Sequence, residues 1–433
     1  MSILGAQLPT NWTWQQVSDL YRVTKKPRDV QFHAFDVIPF VPMELVPVNG
    51  KEHLSVEMRA PAQIASGTYF EKGDILLSKI TPSFENGKQG MANDFLAPFG
   101  VASTEVIPLQ PTTPEVNSRL LFYYLLHPEV RALIAGKMEG STGRQRVPER
   151  VVLEFPLPNP PREEQDKIAA VLWKVQRAID VEEKLTATAR ELKQAAMRQL
   201  FTYGLRGEGQ QETEIGHIPD GWSLRPLAEL REFLQYGTSA KCEYAKQGNP
   251  VLRIPNILDG DIDAHDLKWC KLSAKEVDSW VLEQGDVLFI RTNGVRDRVG
   301  TCAVYHGQPE CSLFASYLIR ARLKKNELNP DFFQYFSNTP VGRAQLAGRA
   351  SPAADGKFNV NTKHIDAVLV PLPKESEEQH EIVNILQALD RKIAIHERKR
   401  TSMQELFKIL LHKLMTGEIS VADLEIDVSE VTQ

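Results

Sequence analysis

Cysteine is scarce in this chain, and long apolar runs are missing. Its 433 residues include four cysteines, all in the second half and none in a close C-x-x-C pair: Cys242, Cys270, Cys302 and Cys311. This usage favours free thiols in a reducing compartment, so we expect a cytoplasmic protein. No apolar stretch is long enough to span a bilayer, and the N-terminus lacks a basic start followed by an apolar core. Neither a membrane partner nor a signal peptide is therefore expected.

Signatures of catalysis are missing as well. The sequence has no Gly-x-x-x-x-Gly-Lys-Ser/Thr loop for a nucleotide, and its histidines show no metal-ligand spacing. Asn-Pro-Pro-Arg at 159–162 is close to the Asn-Pro-Pro-aromatic signature of amino-methyltransferases. It lacks the aromatic residue that would stack on a flipped base, so we interpret it as the lead-in to a helix. We predict no catalytic residue, no metal site and no cofactor in this chain.

Charge and length narrow the alternatives further. The formal net charge of -5 gives no bulk sign of nucleic-acid binding, so any basic surface must be local. A chain of 433 residues is longer than one hydrophobic core usually serves, which predicts two to four domains.

A long-period repeat organises the chain. Pro-Leu-Pro at 156–158 is followed by Glu-Glu-Gln at 163–165, and the same two motifs return at 371–373 and 377–379. Upstream, Pro9 and Trp12 recur as Pro219 and Trp222, and Gly73-Asp74 recurs as Gly285-Asp286. We interpret the tryptophans as core anchors and the Gly-Asp pairs as turns into buried strands. The pattern predicts one mixed α/β domain built twice, each closed by a strand at 151–153 or 367–369.

A long helical pattern follows each Pro-Leu-Pro motif. Apolar residues at alternating spacings of four and three predict a coiled-coil seam with apolar ends and a polar middle. The seam residues are Ile168, Leu172, Val175, Ile179 and Glu182 in the first helix, and Ile382, Leu386, Leu389, Ile393, Arg400 and Leu414 in the second. If the helices pair antiparallel with matched ends, Glu182 faces Arg400 and His396 lies near Thr186. The alternative is two separate helices, each packed on its own domain.

These patterns divide the chain into six segments around an internal pseudo-twofold repeat. The predicted segments are a first globular domain at 1–155, a long helix at 156–205, a linker at 206–217, a second globular domain at 218–370, a second long helix at 371–418 and an acidic, frayed tail at 419–433.

The ordered duplication resembles the specificity subunit of type I restriction-modification systems. The residues that carry the resemblance are Pro9, Trp12, Gly73-Asp74, 155–179, Pro219, Trp222, Gly285-Asp286 and 370–393. The resemblance implies a non-catalytic subunit whose two target recognition domains read the halves of an asymmetric, bipartite site on double-stranded DNA. It also implies that the spacer helices dock methylation subunits, that restriction subunits join them, and that S-adenosylmethionine, ATP and Mg²⁺ bind in those partners.

Polar, glycine-rich loops supply the candidate DNA contacts. Lys and Arg suit phosphates, and Arg, Lys, Asn and Gln suit base edges. The candidates are Lys79, Lys88, Gln89, Arg144, Gln145 and Arg146 in the first domain, and Arg291, Asn293, Arg296, Arg298, Arg343, Arg349 and Lys357 in the second. Two other interpretations stay open, a coiled-coil scaffold and a DNA-binding adaptor outside restriction-modification.

Overall fold

In the computed structural model of the chain, the described residues are 3–93, 97–141, 143–258, 260–353 and 356–432. The chain divides into two units, one made of Met1–Leu185 and His396–Gln433, the other of Thr186–Ile395. The division falls inside both long helices, so each unit contains one recognition domain and a part of each helix. No helix among the described residues is long and apolar enough to cross a membrane.

The first unit mixes short strands with helices. Its strands are β1 (Thr13–Gln16), β2 (Tyr21–Val23), β3 (Ile38–Val41), β4 (Glu57–Arg59), β5 (Thr68–Glu71), β6 (Ile75–Ser78), β7 (Gln89–Met91), β8 (Phe99–Ala102), β9 (Val106–Pro111) and β10 (Pro156–Asn159). Its helices are α1 (Val17–Leu20), α2 (Ser118–Tyr124), α3 (Pro128–Ala135), α4 (Glu149–Leu153), the first part of α5 (Arg162–Tyr203) and the second part of α11 (Ser376–Met415).

The second unit is also a mixture of short strands and helices. Its strands are β11 (Gln210–Thr213), β12 (Gly216–Pro219), β13 (Ser223–Pro226), β14 (Arg231–Tyr236), β15 (Asn249–Leu252), β16 (Lys268–Cys270), β17 (Val287–Ile290), β18 (Thr292–Asn293), β19 (Cys302–Val304), β20 (Leu313–Phe314), β21 (Leu318–Leu323), β22 (Ser351–Pro352), β23 (Phe358–Asn359) and β24 (Leu369–Leu372). Its helices are the second part of α5, α6 (Leu227–Leu230), α7 (Ala274–Trp280), α8 (Pro330–Ser337), α9 (Pro340–Leu346), α10 (Thr362–Asp366) and the first part of α11 (Ser376–Met415).

The same strand order appears in each unit. A sheet with the order β2-β9-β6-β7 in the first unit corresponds to β14-β21-β17-β19 in the second. Each unit also contains a parallel pair in its other sheet, β3 with β8 and β15 with β20. The duplication seen in the sequence is therefore a duplication of topology.

The Pro-Leu-Pro motifs form the closing strands. In the first unit β10 pairs antiparallel with β1, and in the second β24 pairs with β13, the strand after Trp222. The prediction of a strand at 151–153 is wrong, because these residues form α4. The extended segment comes later, where the prolines fix φ and hold the preceding residues out of the helical region. In the second unit only Leu369 of the expected strand at 367–369 belongs to β24.

Two segments expected to be irregular are ordered. The predicted linker contains β11 and the first two residues of β12, which pair as an antiparallel hairpin. In the predicted frayed tail, Val421 and Val431 are buried, and the carbonyl oxygen of Val431 accepts hydrogen bonds from Asn117 Nδ2 at 3.3 Å and Arg119 Nη1 at 3.2 Å. The prediction relied on the acidic residues of this segment and overlooked its apolar side chains, which pack on the first unit.

A Gly-Asp turn begins the central strand of each main sheet. Gly73 and Gly285 both adopt positive φ, +95° and +94°, which glycine tolerates without strain. The carboxylate of Asp74 accepts the backbone N–H of residue 71 at 2.9 Å, and that of Asp286 accepts the N–H of residue 283 at 2.9 Å. Both carboxylates are buried, with 1% of each residue exposed.

The two buried carboxylates differ in their charge partners. Arg322 donates two hydrogen bonds to Asp286, at 2.8 and 2.9 Å. Residue 110, the strand position in the first unit that corresponds to Arg322, is glutamine. Burial raises the pKa of Asp74 from 3.8 to about 6. Deprotonation of Asp74 therefore opposes folding as the pH rises from 4 to 6, because the folded state holds its proton more tightly than the unfolded state.

We expect opposite effects on stability from Asp74→Asn and Asp286→Asn. Asparagine keeps the acceptor oxygen of the turn and removes the charge, so D74N should raise the free energy of unfolding by about 2 kcal/mol at pH 7.5 and change it little at pH 4. D286N leaves Arg322 without its buried carboxylate partner, so it should lower the free energy of unfolding by about 3 kcal/mol. Chemical denaturation at both pH values measures this difference, and a D74N protein less stable than wild type at pH 7.5 would contradict it.

Candidate nucleic-acid interface

A buried glutamine side chain attaches each long helix to its recognition domain. In the first unit Gln165 accepts the backbone N–H of Asn117 at 2.9 Å and donates to the carbonyl oxygen of Pro160 at 2.9 Å. In the second unit Gln379 accepts the N–H of Asn329 at 2.9 Å and donates to the carbonyl oxygen of Glu327 at 3.0 Å. Asn117 and Asn329 are the N-caps of α2 and α8. The Glu-Glu-Gln motif thus joins two helix starts.

The glutamate before each glutamine behaves differently in the two units. Glu164 accepts the indole N–H of Trp12 at 3.2 Å. Its counterpart Glu378 instead accepts the backbone N–H of Leu205 at 3.3 Å. The indole nitrogen of Trp222 is buried and has no hydrogen-bond partner among the described residues. Both tryptophans remain core residues, with 5% of each exposed.

The two long helices contact each other through the predicted seam in the first unit. The seam residues of this unit that are buried or half-buried are Ile168, Leu172, Val175, Ile179, Glu182, Arg400 and Leu414. The pairing of Glu182 with Arg400 is wrong. Glu182 is hydrogen-bonded to His396 Nδ1 at 2.5 Å and lies 4.0 Å from Lys399 Nζ. His396 precedes Arg400 by about one helical turn, so matched ends gave the wrong register at this layer.

The second unit has its own contacts between the helices. Ile382 and Leu386 are buried, and Leu389 and Ile393 are half-buried. Lys193 forms an ion pair with Asp390 at 2.6 Å. Asp390 also accepts the hydroxyl of Tyr335, a residue of α8, at 2.7 Å. This carboxylate therefore connects both helices to the recognition domain.

The candidate DNA contacts of the first unit fall into two groups. Gln89 is fully buried, donating to the carbonyl oxygen of Phe122 at 2.6 Å, so it supports the fold and cannot reach a base. Lys88 donates to the carbonyl oxygen of Met43 at 2.7 Å, and Lys79 is half-buried. The other group comprises Arg144, Gln145 and Arg146.

Residues 144–146 form a basic segment at the surface. Arg144 is exposed, and Gln145 is half-buried. Arg146 is exposed and makes a bidentate ion pair with Glu105, at 2.6 and 2.8 Å. This pair orients the guanidinium and reduces the net positive charge of the segment, which leaves Arg144 as its best-placed cation.

Three arginines of the second unit are hydrogen-bonded to backbone carbonyls. Arg296 donates to Gly348 at 2.8 Å, Arg298 to Ile257 at 3.3 Å, and Arg343 to Val299 at 2.9 Å. The contacts of Arg296 and Arg343 hold the loop after β18 against α9 and the turn that follows it, and Arg298 connects the same loop to Ile257. The carbonyls thus help to hold the three guanidinium groups in place.

The other four candidate DNA contacts of the second unit have different surroundings. The guanidinium of Arg291 lies over the ring of Tyr236 at 4.8 Å, and Asn293 accepts the N–H of residue 295 at 2.9 Å. Arg349 donates to the carbonyl oxygen of Ala367 at 2.8 Å, and Lys357 is exposed.

A further basic surface was missed by the sequence analysis. Tyr244 is 63% exposed, and its ring lies 5.1 Å from Lys268 Nζ and 5.8 Å from the guanidinium of Arg253. Lys241 and Lys246 are exposed on the same loop. Basic residues around an exposed aromatic ring suit stacking and phosphate contacts. Acidic residues interspersed among the five lysines between 241 and 275 obscured this surface in the sequence, and Glu243 and Asp266 pair with Lys241 and Arg253.

Comparison with known families decides the relationship. The model of the type I restriction modification DNA specificity domain matches the chain twice, at residues 12–191 and 219–405. This chain belongs to that specificity family. Each match begins at or near an anchoring tryptophan and includes a Glu-Glu-Gln motif.

Members of the specificity family share part of the sequence. The chain is 29% identical over 210 residues to a Methanocaldococcus jannaschii protein assigned as the type I restriction enzyme MjaX specificity subunit, covering 48% of this chain and 49% of the relative. It is 29% identical over 196 residues to the EcoEI specificity subunit of Escherichia coli, covering 45% and 33%. The chain thus spans half or less of these relatives. With the MjaVIII specificity subunit of M. jannaschii it shares 23% identity over 76% of this chain and 77% of the relative.

A solved structure shows the same fold. The S subunit of the type I restriction-modification system from M. genitalium superposes with a TM-score of 0.57 at 16% identity, covering 94% of this chain and 98% of that one.

We expect Gln165→Leu to loosen the attachment of α5 to the first recognition domain. Leucine has a similar size but leaves a buried N–H and a buried C=O unsatisfied, which should lower the free energy of unfolding by roughly 3 kcal/mol. Amide hydrogen exchange at Asn117 should accelerate in the same variant. The control is Glu163→Gln, an exposed change two residues earlier that should leave both quantities nearly unchanged. Wild-type exchange at Asn117 in Q165L would show that the contact is dispensable.

Proposed function

We propose that this chain is the sequence-specific DNA-binding subunit of a type I restriction-modification complex. The observation that carries the proposal is a duplicated domain of the specificity family. Each copy is attached to a long helix by an equivalent buried glutamine, Gln165 in the first and Gln379 in the second. A repeated attachment with divergent loops suits a protein that presents two different surfaces to one ligand. Adenine methylation and DNA cleavage belong to partner subunits, which supply S-adenosylmethionine, ATP and Mg²⁺.

The two recognition domains read different halves of an asymmetric DNA site. The first domain offers Arg144 on an exposed loop, whereas the second offers Arg296, Arg298 and Arg343 on backbone carbonyls. Guanidinium groups held in this way are pre-oriented for phosphates or for the O6 and N7 acceptors of guanine. Since the loops share position but not sequence, we expect the two half-sites to differ. The complex acts in the cytoplasm, where its DNA lies.

The long helices form an antiparallel coiled coil with a pseudo-twofold relation between the repeats, and they dock the methylation subunits. Within the first unit, Val181 and Leu185 of α5 are 50% and 41% exposed, and Leu406 and Ile409 of α11 are 46% and 53% exposed. Residues three or four apart are neighbours on a helix surface, so each pair forms a small apolar patch. Contiguous exposed apolar patches, unlike single exposed apolar residues, are typical of protein interfaces.

Sequencing of methylated bases tests the function. Deletion of the gene from its host should remove one bipartite, asymmetric methylated motif, and expression of the chain in trans should restore that motif. Exchange of the second recognition domain for that of another family member should change one half of the motif and leave the other. A methylation pattern that is identical with and without the gene would reject the proposal.

We expect Leu406→Glu combined with Ile409→Glu to abolish co-purification of the methylation subunit. Two carboxylates in an apolar contact lose hydration without gaining partners, which should weaken binding by at least roughly 100-fold. The control is Thr401→Glu, which adds charge at an exposed polar position of the same helix. Circular dichroism checks that α11 remains folded. Wild-type recovery of the methylation subunit with the double variant would exclude this patch from the interface.

A further inference from the structure

The loop between β14 and β15, residues 237–248, is tied to β16 by a single backbone pair. Glu243 and Trp269 exchange both hydrogen bonds, at 2.9 and 2.7 Å. In an antiparallel arrangement, the residues next to such a pair face each other across a non-hydrogen-bonded position, with Cα atoms about 4.5 Å apart. Those residues are Cys242 and Cys270. Their expected separation lies within the range that a disulfide spans.

The surroundings of the two thiols also bring them together. Cys242 Sγ donates to the carbonyl oxygen of Ala240 at 3.3 Å, and Cys270 Sγ donates to that of Lys241 at 3.4 Å. Both side chains pack in one small apolar cluster with Val251. Cys270 is fully buried, whereas Cys242 is partly exposed, so an oxidant in solvent reaches the pair through Cys242.

We propose that Cys242 and Cys270 are a redox-active pair that closes to a reversible disulfide and clamps the loop 237–248 onto β16. The oxidant class is a small disulfide such as oxidised glutathione. The proposal goes beyond the DNA-binding function and does not depend on it.

The reaction balances as two thiol–disulfide exchanges. The thiolate of Cys242 attacks one sulfur of oxidised glutathione, the S–S bond breaks, and one glutathione thiolate leaves. The thiolate of Cys270 then attacks the Cys242 sulfur of the mixed disulfide, and the second glutathione leaves. The two departing thiolates take up the two protons lost by the protein thiols. The net result is one protein disulfide and two reduced glutathiones.

The environment makes this pair slow to react. Burial and the neighbouring Cys270 raise the pKa of Cys242 to about 12, although Lys268 and Arg253 favour its thiolate. The thiol is therefore protonated at neutral pH, and only a small thiolate fraction is available for attack. Such a pair responds to sustained oxidation rather than to a brief pulse.

The clamp would act on an exposed, basic loop. Lys241 and Lys246 are exposed on it, and the ring of Tyr244 reaches Lys268 of β16. A covalent link at Cys242 restricts the opening of this segment, because it closes a chain loop that the backbone pair alone leaves free to separate.

The test uses the full chain equilibrated with oxidised glutathione under native conditions, then alkylated and digested for mass spectrometry. We expect a Cys242–Cys270 linked peptide, a fall in free thiols from the four cysteines of the sequence to two, and recovery of all four with dithiothreitol. Tryptic cleavage after Lys241 and Lys246 should slow by roughly tenfold in the oxidised protein, because cleavage follows the population of the open loop.

Two matched variants separate the pair from the other thiols. Cys242→Ser should abolish both the linked peptide and the protection from trypsin, whereas Cys311→Ser, an exposed cysteine outside the pair, should keep both. A stable mixed disulfide at Cys242 without the linked peptide would overturn the proposal. So would a linked peptide that leaves the tryptic rate unchanged.

Discussion

A buried amide contact governs how each recognition domain is held. Gln165 and Gln379 each accept the backbone N–H of an N-capping asparagine. Gln165 donates to the carbonyl oxygen of Pro160, and Gln379 donates to that of Glu327. The amide suits this position because it has both a donor and an acceptor, whereas a carboxylate has only acceptors. Since the asparagine begins a helix of the domain and the glutamine begins a long helix, two helix starts share one contact. In the first unit this contact acts together with the hydrogen bond from Trp12 to Glu164 and the apolar core.

Near the glutamine contact and the Gly-Asp turn, equivalent carboxylates in the two copies have different hydrogen-bond and charge partners. Asp286 is neutralised by Arg322, while Asp74 keeps the same turn with its pKa raised to about 6 by burial. Glu164 accepts a tryptophan indole, and Glu378 accepts a backbone N–H. The backbone geometry of the turn and of the helix start is common to both copies. The charge pairs are local, so they diverge without altering the topology.

Sequence reasoning recovered the features that depend on period and repetition. The duplicated motifs, the anchoring tryptophans and the apolar seam positions follow from spacing alone. The sequence did not predict the helix register, the structure of 151–153 or the burial of Gln89 correctly. The Glu182 contact was misplaced by about one turn, because a seam of alternating four and three fits more than one register. Val151 and Val152 favour strands by composition, yet they lie in α4. Gln89 has the right chemistry for a base edge but lies in the core, which composition cannot reveal.

The tertiary contacts of the arginines bear on how such a surface changes during evolution. Arg296, Arg298 and Arg343 are held by backbone carbonyls, which are present whatever side chains the neighbouring residues carry. Ordering these long side chains during folding removes an entropic cost that binding would otherwise bear. Substitution of the neighbouring side chains leaves these backbone acceptors available, and it does not involve the glutamine contact. The contacts that position a recognition domain are therefore distinct from the loop side chains that we propose as its DNA contacts.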